Sequence, residues 1–165
     1  MSNNKHFSDI NVKVLKEEEN FLEIEAKPFE RGYGVTLGNS LRRILLTSIP
    51  GAAITAIKVD GVQHEFTAID GVKEDLTDIV LNLKEVRFKM INEGPETINL
   101  SLEGPTVFKA ADINKKLSDF EVLNPDHHIA EITDKVQINL ECRISRGKGY
   151  SLAESNKRNN DPIGI

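Results

Sequence analysis

The chain has 165 residues, of which 39% are hydrophobic and 28% are charged, and its formal net charge is −5 at pH 7. This balance is typical of one globular domain, or two small ones, with a buried core, and the acidic charge argues against a general nucleic-acid binder. The sequence has no apolar run of about eighteen residues, as a membrane span requires, and no signal peptide is expected from MSNNKHFSDI. Cys142, the single cysteine, excludes an intrachain disulfide and indicates a reducing cytoplasm.

The first predicted element is an antiparallel hairpin. Apolar and polar residues alternate from Ile10 to Val14 and, less regularly, from Phe21 to Ala26, which is the pattern of half-buried strands. The charged stretch Glu17–Asn20 is the expected loop between them, and Pro28 ends the second strand.

Residues 29–51, FERGYGVTLGNSLRRILLTSIPG, predict a glycine-rich turn followed by a helix. Thr36 is the expected amino-terminal cap, and Pro50 cannot continue the helix. A glycine inside a helix costs about 1 kcal/mol relative to alanine, so Gly38 favours a close approach of another backbone. Helical spacing places four apolar residues on one face: Leu37, Leu41, Ile44 and Leu45. The polar face carries Asn39, Ser40, Arg43 and Thr47, with Arg42 beside it.

Two further elements are predicted between residues 54 and 84. Asp60-Gly61 lies between short apolar segments, which predicts the turn of a second hairpin over residues 54–66. The segment GVKEDLTDIVLNLK, residues 71–84, predicts a helix, since acidic residues near its amino end and Lys84 at its carboxyl end complement the helix dipole. Its apolar stripe is Val72, Leu76, Ile79 and Leu83, and its acidic residues are Glu74, Asp75 and Asp78.

From Val86 onward the pattern changes to a period of two, which predicts strands. The predicted strands are 86–90, 98–102, 129–132 and 137–145, with turns at 92–96, 110–112 and 124–125. Residues 146–150, RGKGY, indicate a basic loop, and residues 151–162 are polar and without pattern. Strands outnumber helices with no regular βαβ order, so the predicted fold class is α+β and mostly antiparallel. In the last strand one face is shared by Ile138, Leu140, Cys142 and Ile144.

Some of these patterns leave other functions open. The Gly32–Gly38 loop before a helix suggests a phosphate- or nucleotide-binding protein, although it misses the dinucleotide spacing by one residue and lacks the Gly-Lys-Ser/Thr of a P-loop. The basic segment 146–150 suits contact with nucleic acid or, as we favour, with protein. Glu74 and Asp78 face the same way on a helix but lack further metal ligands, and the four histidines lack zinc spacing.

The segment ERGYGVTLGNSLRRILLTSIPG resembles the first helix of the bacterial RNA polymerase α subunit, in its N-terminal domain. The resemblance continues through IKVDGVQHEF, GVKEDLTDIVLNLK and RGKGY and covers most of the chain. It implies a non-catalytic scaffold subunit of a DNA-directed RNA polymerase, a nucleotidyltransferase complex, with no cofactor and no metal on this chain. The closely spaced aspartate triplet that binds magnesium in multisubunit polymerases does not occur in the sequence.

The resemblance also implies a division into two parts and a set of partners. Residues 1–51 would form the dimerisation part and residues 52–158 an inserted, β-rich part, with residues 159–165 starting the return to the first. The homodimer would bind the β subunit through one protomer and the β′ subunit through the other. Contact with DNA would need a C-terminal domain that family members carry beyond this stretch.

The resemblance implies roles for individual residues as well. The second arginine of the LRR triplet, Arg43, matches a residue that engages the β subunit, and the β′ subunit is expected at Lys84 and at the RGKGY segment. The expected β contacts are Arg43, Arg42, Asn39 and Thr47, the expected β′ contacts are Lys84, Arg146 and Lys148, and the expected dimer and core face is Leu37, Leu41, Ile44 and Leu45.

Family members continue past Pro-Ile-Gly with a strand and a long helix, whereas this sequence stops at Ile165. We therefore expect a fragment or a truncated reading frame. Such a chain should dimerise poorly and aggregate, because exposed apolar stripes find partners.

Overall fold

The computed structural model describes residues 10–19, 21–159, 161 and 164–165. It has two compact units, Met1–Leu46 and Thr47–Ile165, so their boundary falls inside a helix. The expected division near residue 51 stays a prediction. The strands are β1 (Asn11–Glu18), β2 (Phe21–Lys27), β3 (Pro50–Val59), β4 (Phe88–Met90), β5 (Glu96–Glu103), β6 (Thr106–Lys109), β7 (Phe120–Val122), β8 (His128–Ile132) and β9 (Gln137–Lys148). The helices are α1 (Tyr33–Ser48), α2 (Leu76–Lys84), α3 (Ala110–Asn114) and α4 (Ala153–Asn156).

The first unit contains the predicted hairpin and helix. β1 and β2 pair antiparallel, which confirms the hairpin, but the pairing extends to Glu18 and Phe21, so Glu17 and Glu18 belong to the strand. Asn20 lies outside the described residues. Helix α1 begins at Tyr33, directly after a turn in which Gly32 has φ 86°. Thr36 is therefore inside the helix, and the prediction that it caps the helix is wrong.

The second unit is built on an antiparallel five-stranded sheet with strand order β5-β9-β3-β4-β7, beside a two-stranded sheet of β6 and β8. Helices α2 and α3 contribute buried apolar side chains to the same core, including Leu83 and Ile113. Strand β9 shows the predicted alternation, since Leu140, Cys142 and Ile144 are all buried. The mixed architecture confirms the α+β class.

A bulge in β3 allows apolar residues from both ends of the strand to face the core. Ile54 pairs with Ile144 and Ala56 with Arg143, so Thr55 is an extra residue in the ladder with β9. Because side chains alternate along a strand, Ile54 and Ile57 would otherwise face opposite sides of the sheet. With the bulge, both pack against the core, and the Thr55 hydroxyl donates to the Arg143 carbonyl at 3.3 Å.

Four local predictions differ from the structure. The Asp60-Gly61 turn is present, with Gly61 at φ 81°, but β3 pairs with β9 and β4, and residues 62–66 form no strand, so the second hairpin is wrong. Residues 110–112 begin the short helix α3 and are not a turn between strands. Residues 146–148 are the end of β9, so the basic loop is shorter than expected. The helix predicted over residues 71–84 begins only at Leu76, so Val72 precedes α2 and forms a bridge with Ile132 instead.

Two carboxylates fix the start of α2, the helix that ends at Lys84. Asp75 is the N-cap, and its carboxylate accepts the N–H of Asp78 at 2.8 Å. Glu74 points to β8, where it contacts the His128 ring Nε2 at 2.7 Å and accepts the Glu131 N–H at 2.7 Å. Glu74 is therefore a link between the helix start and β8, not only a partner of the helix dipole.

Replacing Asp75 with alanine should lower the free energy of unfolding by about 1 kcal/mol, because the Asp78 N–H then loses its acceptor and the helix start loses a favourable negative charge. Thermal and urea unfolding followed by far-UV circular dichroism would measure it, since the chain has no tryptophan. Asp78→Ala is the matched control, because it removes an acid from the same turn and leaves the cap in place. Equal effects of the two variants would contradict the capping role.

The stability that Glu74 contributes should depend on pH. Burial alone would raise the pKa of Glu74, but hydrogen bonds from the Glu131 N–H and the His128 ring outweigh it and lower the pKa below its ordinary value of 4.5. A lowered folded-state pKa stabilises the fold above pH 4.5, and this contribution is lost as the pH falls through the folded-state pKa. The difference in unfolding free energy between the native chain and Glu74→Gln should therefore shrink as the pH falls below about 4.5.

Asp126→Asn is the control for this pH series. It removes a fully exposed carboxylate 4.0 Å from Lys109, and exposed ion pairs contribute little to stability. A difference between Glu74→Gln and the native chain that stays constant from pH 7 to pH 3 would show that the Glu74 link contributes through shape and not through charge.

Candidate assembly surfaces

Helix α1 presents an uncovered apolar face. The predicted residues Leu37, Leu41, Ile44 and Leu45 all lie on this helix and have exposed fractions of 36%, 46%, 54% and 61%. The hairpin of the same unit also exposes apolar side chains, among them Val12 at 60% and Leu22 at 60%. None of the described residues of the first unit is buried. Monomeric soluble proteins rarely leave apolar area on this scale uncovered.

The polar residues of α1 are placed as their spacing predicts. Asn39, Arg43 and Thr47 are four residues apart on one continuous helix, which brings such side chains to one side, and Arg42 is adjacent. All four are exposed. Arginine suits such a position because its planar fork binds carboxylates and carbonyls while its stem packs against apolar surface.

The glycine pattern that suggested a phosphate site is not a loop. Gly34 and Gly38 both lie inside α1, and only Gly32 belongs to the turn before it. A Cβ at Gly38 would have no atom within 4 Å in the described chain, so the expected close backbone is not supplied from within it. The phosphate- or nucleotide-binding alternative therefore lacks the loop on which it depended.

The three residues expected to contact the β′ subunit lie on two elements of the second unit. Lys84 is exposed at the end of α2 and makes no ion pair with any described residue. Arg146 and Lys148 are exposed on β9, where Arg146 donates to Glu93 at 2.6 Å. Lys84 and the two β9 residues therefore come from different elements of the second unit, and no hydrogen bond or ion pair within the described ranges links them.

Sequence reasoning missed the most buried ion pair among the described residues of the second unit. Arg143 on β9 donates two hydrogen bonds to Asp161, at 2.8 and 3.1 Å, and both side chains are more than nine-tenths buried. The hydrogen bonds from the Arg143 guanidinium lower the pKa of Asp161 to about 2. An arginine between Cys142 and Ile144 in a strand is the one signal that its side chain faces away from the core; nothing in the polar stretch 151–162 singles out Asp161.

Other chemistry finds little support in the part of the chain that the structure describes. No cluster of three or more histidine, cysteine or acidic residues there has the spacing to hold a metal ion. Burial and the nearby Glu141 carboxylate raise the pKa of the Cys142 thiol to about 12, which keeps it protonated. No helix within the described ranges is long and apolar enough to cross a membrane.

Comparison with known proteins identifies the family. Residues 57–165 match the family model of the RNA polymerase Rpb3/RpoA insert domain. The chain is 53% identical over 138 residues to the DNA-directed RNA polymerase subunit alpha of Salinibacter ruber, which covers 84% of this chain and 42% of the relative. It is 52% identical over 156 residues to that of Prosthecochloris aestuarii, which covers 94% of this chain and 48% of the relative. The chain thus spans less than half the length of these relatives.

These matches confirm the resemblance drawn from the first helix and the segments that follow it. The family model covers residues 57–165, most of the second unit, and the alignment over 94% of the chain includes most of the first unit as well. The chain belongs to the DNA-directed RNA polymerase α-subunit family and represents its N-terminal part, with the Rpb3/RpoA insert domain.

Proposed function

We propose that this chain is a non-catalytic scaffold that dimerises and brings the β and β′ subunits of a cytoplasmic RNA polymerase together for transcription. The observation that carries the proposal is the first unit, where a hairpin and a helix are formed while every described side chain stays at least partly exposed. Hydrophobic burial is the main favourable term in folding and in association. A unit that buries so little by itself is suited to complete its core with a partner.

The apolar face of α1 is the proposed dimerisation surface. Leu41, Ile44 and Leu45 recur at helical spacing and have exposed fractions between 46% and 61%. Covering a leucine or isoleucine side chain contributes about 1.5–3 kcal/mol. A twofold dimer would use each residue twice, which doubles the effect of each position.

The polar side of α1 is the proposed contact with the β subunit, and Arg43 is its central residue. Arg42, Asn39 and Thr47 extend that surface along the helix. Lys84, Arg146 and Lys148 are the proposed contacts with the β′ subunit. These residues lie on two elements of the second unit, α2 and β9, which suits a partner that contacts more than one element. Catalysis belongs to the assembled polymerase, and DNA binding to a separate C-terminal domain.

Replacing Ile44 and Leu45 together with lysine should weaken self-association by about 3 kcal/mol or more, roughly a hundredfold in dissociation constant. Both side chains are exposed, so the fold of the protomer should tolerate the change. Light scattering over a concentration series measures the association. The control is Leu123→Lys, which introduces a lysine at a leucine of the second unit that is 57% exposed. Association that is equally weakened in the control, or unchanged in both, would contradict the proposed surface.

A crossed capture experiment tests the two partner surfaces. The native chain, Arg43→Ala and Lys84→Ala are each used to capture purified β and purified β′ subunits. We expect Arg43→Ala to weaken capture of β by about 2 kcal/mol, roughly thirtyfold, as for an interface hot spot, and Lys84→Ala to weaken capture of β′ only. Each variant is the control for the other. A variant that weakens both captures equally would place its residue in the fold and not in a specific contact.

A further inference from the structure

The polar stretch after β9 runs back along the second unit in a defined path. A Cβ at Gly149 would lie 3.5 Å from the Thr47 carbonyl oxygen, just before β3 begins. Helix α4 lies against β3, and Asp161 binds Arg143, which pairs with Ala56 near the middle of β3. A Cβ at Gly164 would lie 2.9 Å from the Val62 carbonyl oxygen, beyond the end of β3. The described part of residues 149–165 therefore follows β3 from one end to the other.

This path lies on the face of the sheet opposite the core. Cys142 and Ile144 of β9 are buried in the core, and side chains alternate along a strand, so Arg143 between them points the other way. The same outer face carries a polar recess of about 200 Å³ whose lining includes Lys58, Asn99 and Glu141. The returning stretch consequently meets a polar surface, where apolar burial contributes little to holding it.

A buried ion pair is the closest polar link between the sheet and the described part of this stretch. Asp161 accepts two hydrogen bonds from Arg143 and a third from the Arg158 N–H at 2.9 Å. No described residue between 149 and 165 is buried as a whole, and Tyr150 and Leu152 are 88% and 57% exposed. Removing either partner would leave the other charge buried without compensation. The described part of the stretch would then have no buried apolar side chain to keep it in place.

The arrangement in which Asp161 binds Arg143 also has one destabilising feature. The Nε of Arg143 is buried and has no hydrogen-bond partner among the described residues. A buried donor without an acceptor is destabilising relative to its hydrated state. Opening of the stretch would hydrate this atom, which reduces the free-energy difference between the closed and open arrangements.

We propose that the described part of residues 149–165 forms a strap that opens and closes over the outer face of β3 and β9 without unfolding the core, and that the Arg143–Asp161 pair is its latch. Segments with few buried apolar contacts are the ones that open locally while the rest of a protein stays folded. The strap closes when the carboxylate enters the guanidinium fork, and the Arg158 N–H then fixes the carboxylate in place. Gly164, at φ 99°, lies close against the Val62 carbonyl and is a second place where the strap meets the second unit.

Limited digestion with trypsin tests the latch, because Lys157 and Arg158 are exposed cleavage sites within the strap. Arg143→Met removes the guanidinium from the sheet without changing the sequence around these sites. We expect cleavage after Lys157 and Arg158 to be at least tenfold faster in Arg143→Met than in the native chain, measured by mass spectrometry of the released peptide. Amide hydrogen exchange in β8 and in residues 138–142 should stay unchanged. The matched control is Glu93→Gln, which removes the exposed carboxylate bound to Arg146 on the same strand and should leave cleavage unchanged.

Asp161→Asn and Gly164→Ala keep the test decisive if Arg143→Met disturbs the sheet. Cleavage rates of each folded variant are divided by the rates of the same variant when unfolded. After this normalisation, Asp161→Asn should accelerate the same cleavages. Gly164→Ala should also accelerate them while the ion pair stays intact, because its Cβ would collide with the Val62 carbonyl. Unchanged cleavage in Arg143→Met and Asp161→Asn would overturn the latch. Faster exchange throughout β8 and β9, in step with cleavage, would overturn the separate opening of the strap.

Discussion

The antiparallel ladder between β3 and β9 is the constraint that the second unit depends on. It runs from Pro50 opposite Lys148 to Val59 opposite Leu140, and it places two strands with opposite directions at the centre of the sheet. One face of the ladder is sealed by α2, α3 and the small sheet of β6 and β8. The other face is polar and carries Arg143. Because the ladder satisfies the backbone of both strands, side-chain parity alone decides which residues enter the core.

The first unit forms its backbone hydrogen bonds but buries little apolar surface. Its hairpin and its helix satisfy their backbone hydrogen bonds locally, yet Val35 is 71% exposed and Leu45 61% exposed. An isolated two-stranded hairpin is only marginally stable in water, and most helix stability in proteins comes from packing of an apolar face. The secondary structure of this unit is thus encoded by its own sequence, whereas little of the free energy that would hold it comes from burial within the unit. This contrast between two units of one chain fits the proposed role in assembly.

The sequence predicts the elements whose signals are local. The hairpin of β1 and β2, helix α2 and the alternation of Leu140, Cys142 and Ile144 in β9 all follow from patterns within a few residues. The prediction of a second hairpin fails because Asp60-Gly61 specifies a turn but does not specify which strand pairs with β3. Val59 pairs with Leu140, far along the chain. The glycine loop fails because Gly34 and Gly38 join a helix whose other residues favour it.

The candidate sites show the same difference between signals within one element and contacts between distant residues. Helical spacing is enough to place Arg43 and the apolar face of α1, since both depend on one element. Contacts between distant residues are not accessible in this way. Glu74 meets His128 across 54 positions, and Arg143 meets Asp161 across 18 positions of a stretch with no periodic pattern. The sequence shows that these charges exist, but only the tertiary fold determines that they pair.

The single extra residue in β3 has a consequence for how this chain can change in length. Thr55 determines which face of the sheet the side chains before it point to, relative to those after it. Ile54 and Ile57 both reach the core only because one residue is bulged between them. Deleting it would turn Pro50–Ile54 over and send Ile54 to the polar face. We therefore expect insertions and deletions to be tolerated in exposed connections, such as the turn at residues 92–95, and not within β3, whose residue count decides which side chains reach the core.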